Sequence, residues 1–203
     1  RPKLADFVRW PMTVCIAIAC DYGYEKRTPK VIFIADRLAS GETTSIDQAQ
    51  KLVHITENWY VMFAGNDTSF VTPILGVLNA ELEEEVNEAK IALKLTEIYQ
   101  TVRINQVQDA VLRPLGLTLE RFLSEGKELF PPTQYAQLYY QIESFDLGCQ
   151  FLIAGFRKGA QIANIFHVQN PGIFFPAEML GFSAIGSGAA NALSYLALRE
   201  QVP

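Results

Sequence analysis

Between residues 13 and 20 small or polar side chains alternate with branched apolar ones, and residues 31–35 form an unbroken apolar run that ends at Asp36. Period-two alternation and short apolar runs are strand signals, so these segments predict the arms of a long β-hairpin around the polar stretch 21–30. A second hairpin follows: Lys51-Leu-Val-His-Ile55, a Thr-Glu-Asn turn, then Trp59-Tyr-Val-Met-Phe-Ala64 closing on Gly65. From Phe70 to about Leu112 the apolar spacing becomes helical, with Val71, Ile74, Leu75 and Leu78 first, then Ile91, Leu95, Ile98 and Tyr99. Two helices are expected, broken near the acidic run 81–85, with Asp67, Thr68 or Ser69 as cap of the first.

Arg113-Pro-Leu-Gly, Phe130-Pro-Pro and the tyrosines from Tyr135 to Tyr140 mark residues 113–147 as an inserted helical subregion. Strand character returns at Cys149-Gln-Phe-Leu-Ile-Ala-Gly155 and at residues 161–168, turns at Asn170-Pro-Gly172, and resumes at 173–175 and 181–185. There an apolar strand ends in Gly186-Ser-Gly188 and opens directly into a helix, so Ser187 either caps the helix or turns its hydroxyl inward. Strands, helices, strands and a helix in that order predict an α+β layering in a single domain spanning residues 1–203, with antiparallel sheets and helices on their outer faces.

Composition narrows the chemistry. A net charge of −5 over 203 residues, without a dense Lys/Arg cluster, excludes the electrostatic footprint of a nucleic-acid binder. No apolar run reaches the ~18 residues that a membrane span needs, and the first eleven residues lack a signal-peptide core, which makes the cytoplasm the expected location. Cys15, Cys20 and Cys149 are odd in number, lie in apolar surroundings and form no Cys-x-x-Cys pair; buried free thiols are expected rather than disulfides or a zinc site. His54 and His167 stand singly in strand-like segments, without ligand spacing, so neither a metal nor another cofactor is expected.

Taken in order, these segments resemble the proteasome-type branch of the N-terminal nucleophile (Ntn) hydrolases, which includes proteasome β and α subunits and HslV. The opening strand Thr13-Val-Cys-Ile with Gly23 at the hairpin, Ile34-Ala-Asp-Arg37, Lys51-Leu-Val-His-Ile55 with Phe63-Ala-Gly65, and Phe151-Leu-Ile-Ala-Gly155 leading to Ala184-Ile-Gly-Ser-Gly188 carry the likeness. It implies a four-layer αββα sandwich. The long first hairpin and the insertion depart from the family pattern. The chain also stops at Pro203, where the family continues through a further helix and strands, which implies a fragment or the loss of that part of the site.

The resemblance further implies a threonine hydrolase that cuts peptide or other amide bonds. Thr13 would be the nucleophile, Lys51 a fixed positive charge beside its hydroxyl, and Asp36 the partner that orients Lys51. Gly65 would supply an oxyanion N–H, and Ser187 would hydrogen-bond near the α-amine. An α-amine ordinarily titrates at about 7.7–8 and is therefore a serviceable base near neutrality. Twelve residues precede Thr13, so the chemistry requires their removal, by processing or by translation from Met12 followed by trimming. If they stay, the resemblance implies a catalytically silent structural subunit, with Phe7, Val8 and Trp10 docking on a neighbour. Each residue also has a structural reading: Thr13 in a strand, Asp36 and Lys51 as an ion pair, Gly65 in a turn. Cys15 as nucleophile, or a cysteine or serine hydrolase using His54 or His167, are further alternatives. Expected partners are a peptide or unfolded-protein substrate, further copies in a ring and an ATPase.

Overall fold

The computed structural model describes residues 13–20, 29–36, 39–40, 45–46, 50–82, 87–177 and 180–200. The extension 1–12, the hairpin tip with Gly23, Arg37 and most of the acidic run lie outside the described residues.

Strand β1 (Cys15–Cys20) pairs antiparallel with β2 (Lys30–Ala35), as the alternation predicts. The two-residue strands β3 (Ala39–Ser40) and β4 (Ser45–Ile46) form a small hairpin that no periodicity signals, because two residues cannot display one. Strands β5 (Leu52–Thr56) and β6 (Trp59–Gly65) make the second hairpin. After the helices come β7 (Cys149–Phe156), β8 (Ala163–Gln169), β9 (Ile173–Pro176) and β10 (Phe182–Ile185). Two larger sheets result, ordered β10-β1-β2 and β5-β6-β7-β8-β9.

Small side chains let these sheets approach. Cys15 and Ala17 of β1 meet Met62 and Ala64 of β6, Leu152 and Ala154 of β7, and Ile165 of β8 in one buried cluster. Alternate residues of β6–β8, including Trp59, Val61, Phe151, Ile153, Phe166 and Val168, enter a second cluster on the opposite face. This explains the nearly continuous apolar run of β7: both of its faces are covered.

Helices α1 (Val71–Glu81) and α2 (Glu88–Val107) supply the other side of that second cluster through Ile74, Leu75, Leu78, Ile91, Leu95 and Tyr99. Tyr99 buries its ring against Phe151 and donates its hydroxyl to the Cys149 carbonyl at 3.0 Å, so burial leaves its polar end satisfied. The Asn87 carboxamide caps α2 by accepting from the Lys90 N–H at 2.9 Å. The expected cap of α1 differs. Asp67 Oδ1 accepts instead from the Ser69 N–H at 2.9 Å, and Phe70 occupies the N-cap position of α1 without a side-chain cap bond. The short Asx turn competes locally with the helix start and takes the carboxylate.

The chain leaves α2 through a π turn at Gln108–Leu112 and a 3-10 turn at Arg113–Leu115, then forms α3 (Leu119–Leu129) and α4 (Pro132–Ser144). These helices have their own small core of Leu112, Leu117 and Phe122, with Tyr135 stacked on Phe122. Arg103 of α2 donates to the carbonyls of Ile142, Glu143 and Phe145 at 2.8–2.9 Å, covering the end of α4 with positive charge. Finally α5 (Ala189–Glu200) packs against β10 and β1. Among the described residues no helix is long and apolar enough to cross a membrane.

Because the α3–α4 core is separate from the sheet–helix core, the two should respond differently to truncation. Phe122→Ala should release fast amide exchange in residues 117–144 while the amides of β6–β8 stay protected. Leu95→Ala should cost about 2–5 kcal/mol of global stability, read by denaturant unfolding and by exchange throughout the sheet.

Candidate active site

Strand register assembles the site. Pairing of Cys15 with Ala35 sets Val14 opposite Asp36, whose N–H donates to the Val14 carbonyl at 3.2 Å while its Oδ2 accepts from the Val14 N–H at 2.9 Å. Pairing of Cys15 with Ile185 on the other edge of β1 brings the Gly186-Ser-Gly188 turn against Thr13. There the Thr13 N–H donates to Ser187 Oγ at 3.0 Å, and the Gly188 N–H donates to the Thr13 carbonyl at 3.1 Å. Gly186 has φ +93°, and a Cβ there would stand 2.3 Å from the Thr13 carbonyl oxygen, so the turn closes on Thr13 only with glycine.

Lys51 immediately precedes β5 and is 5% exposed. Its ammonium forms an ion pair with Asp36 Oδ1 and lies 3.5 Å from Thr13 Oγ1. A buried cation needs a compensating charge, and Asp36, tied to the β1 backbone through its other oxygen, provides one at a fixed position. Thr13, Asp36, Lys51 and Ser187 thus meet in a single corner. In the 203-residue chain the Thr13 nitrogen is the amide that joins it to Met12, a donor without a basic lone pair.

Gly65 ends β6 at φ +153°; a Cβ there would meet the Gly148 carbonyl oxygen at 1.9 Å. It borders a cavity of about 450 Å³ whose wall also includes Ser187, Asp146, Gln150, Gln169 and Asn170. Gln150 Oε1 accepts from the Gly186 N–H at 3.2 Å and braces the glycine turn from the neighbouring sheet. Sequence reasoning passes over Gln150 and Asp146. The signal for the first is present, since Gln150 alone is hydrophilic within the strand Cys149–Phe156; Asp146, at the end of a helical insertion, carries none.

The alternative nucleophiles fare differently. Cys15 is fully buried and donates to the Phe63 carbonyl at 3.4 Å. Burial pushes its thiol up to about 12 despite the nearby Lys51 charge, so no useful thiolate forms near neutrality. Burial likewise pushes Cys149 up to about 12, with the negative charges of Asp146 and Asp67 adding to it. Cys20, expected to be buried, is only half-buried because it closes the open end of β1. His54 packs on Tyr60 and His167 stacks on Phe175, and neither pairs with a hydroxyl or thiol through a described hydrogen bond. Among the described residues no group of three or more His, Cys, Asp or Glu is arranged to hold a metal ion.

No protein-family model and no curated sequence matches this chain. Solved structures do. Anbu (ancestral beta-subunit) from Yersinia bercovieri is 18% identical, with a TM-score of 0.55, over 87% of this chain and 61% of its own. Eukaryotic HslV from Trypanosoma brucei is 15% identical, with a TM-score of 0.47, over 90% of this chain and 76% of its own. The chain thus spans less than two thirds of the Anbu chain, and that likeness is one of fold: a mixed α/β architecture with two packed sheets and flanking helices.

Two expectations follow from the buried charges. Asp36→Ala leaves the Lys51 ammonium without its carboxylate and should cost about 3 kcal/mol in denaturant unfolding, whereas adding Lys51→Met to that variant should recover part of the loss. Burial lowers the His167 pKa below its ordinary 6.5. The unfolded chain therefore binds the extra proton first as pH falls, so the stability contributed by neutral His167 is full above about 6.5 and lost as pH drops toward the folded-state value. His167→Phe should flatten that part of the stability–pH curve, measured by thermal unfolding between about pH 5 and 7.

Proposed function

We propose that this chain is a proteasome-like threonine hydrolase of peptide or other amide bonds, built on a four-layer αββα sandwich and inactive until the Met12–Thr13 bond is cut. The observation that carries the reading is the convergence on one residue: Lys51, balanced by Asp36, faces the Thr13 hydroxyl while Ser187 holds the Thr13 nitrogen. Residues 1–203 act as one domain, with 113–147 as an insertion and 1–12 as a removable extension.

Cutting the bond turns the Thr13 nitrogen into an α-amine. That amine takes the Oγ1 proton, directly or through a water, as Oγ1 attacks the substrate carbonyl carbon. The Lys51 charge favours the developing alkoxide. The Gly65 N–H receives the tetrahedral oxyanion, glycine allowing the substrate to approach the backbone. Collapse breaks the C–N bond, the departing amine carries off the proton, and water then hydrolyses the ester left on Thr13. Further copies of the chain complete a ring, and an ATPase delivers unfolded substrate.

A second reading rests on a specific fact, the amide state of the Thr13 nitrogen in the uncut chain. If that bond persists, the same fold is a silent structural subunit. Intact-mass measurement of the purified protein, run beside turnover of fluorogenic peptides, separates the two. The hydrolase reading expects a Thr13 terminus, and loss of at least about a thousandfold in kcat/KM on Thr13→Ala with unfolding unchanged. Undiminished turnover in that variant would refute it, and an inert protein that keeps Met12 joined to Thr13 would establish the structural subunit.

A further inference from the structure

The cavity beside the reactive corner has a distinct chemical character. Ser187, whose Oγ accepts from the Thr13 N–H, also lines it, so the cavity adjoins that corner. Its volume of about 450 Å³ lies within the range of small-ligand clefts. Among the described lining residues Asn66, Gln150, Gln169 and Asn170 carry carboxamides, Asp146 is the one with a formal charge, and Gly148, Cys149 and Gly186 complete the wall. No lysine, arginine or histidine is among the described lining residues. Asp67 adds a second negative charge nearby, since its Cβ lies 3.3 Å from where a side chain on Gly148 would begin, and both carboxylates act electrostatically on Cys149 in the cavity wall.

The two carboxylates are also held in place. Asp146 Oδ1 accepts from the Gly148 N–H at 2.8 Å, and Asp67 Oδ1 accepts from the Ser69 N–H at 2.9 Å. Each uses one oxygen on its own turn, which leaves the second oxygen as an acceptor. Gln150 spends its carbonyl on the Gly186 N–H. A surface of this kind rewards a ligand that brings N–H donors and positive charge, and it penalises an apolar side chain, which would strip water from the wall without replacing its hydrogen bonds.

We propose that this cavity is a specificity pocket for a lysine or arginine side chain of the substrate, with Asp146 as the residue that selects for charge. The assignment rests on the hydrolase reading for its placement beside the scissile bond. Extended chains enter along Gly65, and the cationic side chain turns toward Asp146 while the carboxamide oxygens of Asn66, Gln169 and Asn170 accept from its N–H groups. Glutamine ranks next, because it supplies donors without charge, and glutamate ranks last.

Four otherwise identical fluorescent peptides carrying lysine, glutamine, leucine or glutamate at one position test this, by anisotropy on the full chain bearing Thr13→Ala and by turnover on the wild-type protein. Lysine should bind at least about fivefold tighter than leucine, glutamate should bind weakest, and Asp146→Asn should narrow the gap between the lysine and glutamine peptides. Binding that favours leucine or glutamate, a lysine preference untouched by Asp146→Asn, or no binding of any peptide would overturn the pocket. Turnover separates this result from the catalytic reading. Lysine-selective binding without hydrolysis upholds the pocket and refutes the hydrolase, whereas Thr13-dependent hydrolysis that favours leucine upholds the hydrolase and refutes the pocket.

Discussion

The pairing of Lys51 with Asp36 is the constraint around which the rest of the site is arranged. An ammonium in the interior is tolerable only beside a carboxylate, and that carboxylate must itself be fixed for the charge to have a defined position. Asp36 is fixed by the antiparallel register of β1 and β2, which sets its second oxygen on the Val14 N–H. Lys51 is fixed from the other sheet, where the Phe63 N–H donates to its carbonyl at 3.3 Å just before β5 begins. One ion pair therefore joins the two sheets at the end where Thr13 enters β1. Its placement, more than its contribution to stability, is what gives the Thr13 hydroxyl an unusual neighbour.

Packing makes that placement possible. Cys15, Ala17, Ala64 and Ala154 are small, so the facing strands come close enough for Lys51 to span them, while the bulk of the core lies on the other side of the five-stranded sheet under α1 and α2. The glycines at 65 and 186 serve the same end from opposite sides. One lets β6 close on the Gly148 carbonyl and the other lets the β10 turn close on the Thr13 carbonyl. A side chain at 186 would push the corner open, and one at 65 would drive β6 from the start of β7.

Much of the architecture is legible in the sequence because period-two and 3.6-residue patterns persist wherever an element has one buried face. The hairpins β1–β2 and β5–β6, the break between α1 and α2, and the strand that precedes Ser187 all follow from such patterns. What escapes them is short or tertiary. The β3–β4 hairpin has too few residues to show a period, and Asp67 prefers its own turn to the helix start. The grouping of Thr13, Asp36, Lys51 and Ser187 is not contained in any local pattern. Only the resemblance to a known family implies it in advance, and strand register is what brings these four into contact. The cavity wall is the least legible part, because Asn66, Asp146, Gln150 and Gln169 come from three separate segments whose meeting depends on how β6, β7 and β8 align.

The central claim is that Thr13, once its nitrogen is an amine, offers oxygen nucleophile and nitrogen base on one residue. A peptide epoxyketone tests this directly, since its carbonyl carbon and its epoxide carbon bond to a hydroxyl oxygen and an amine nitrogen of the same residue. Mass-spectrometric mapping of the treated protein should find one adduct, on Thr13 alone, and only in chains whose first residue is Thr13. Chains that begin at Thr13 yet remain unmodified, or that carry the adduct on another residue, would contradict the account.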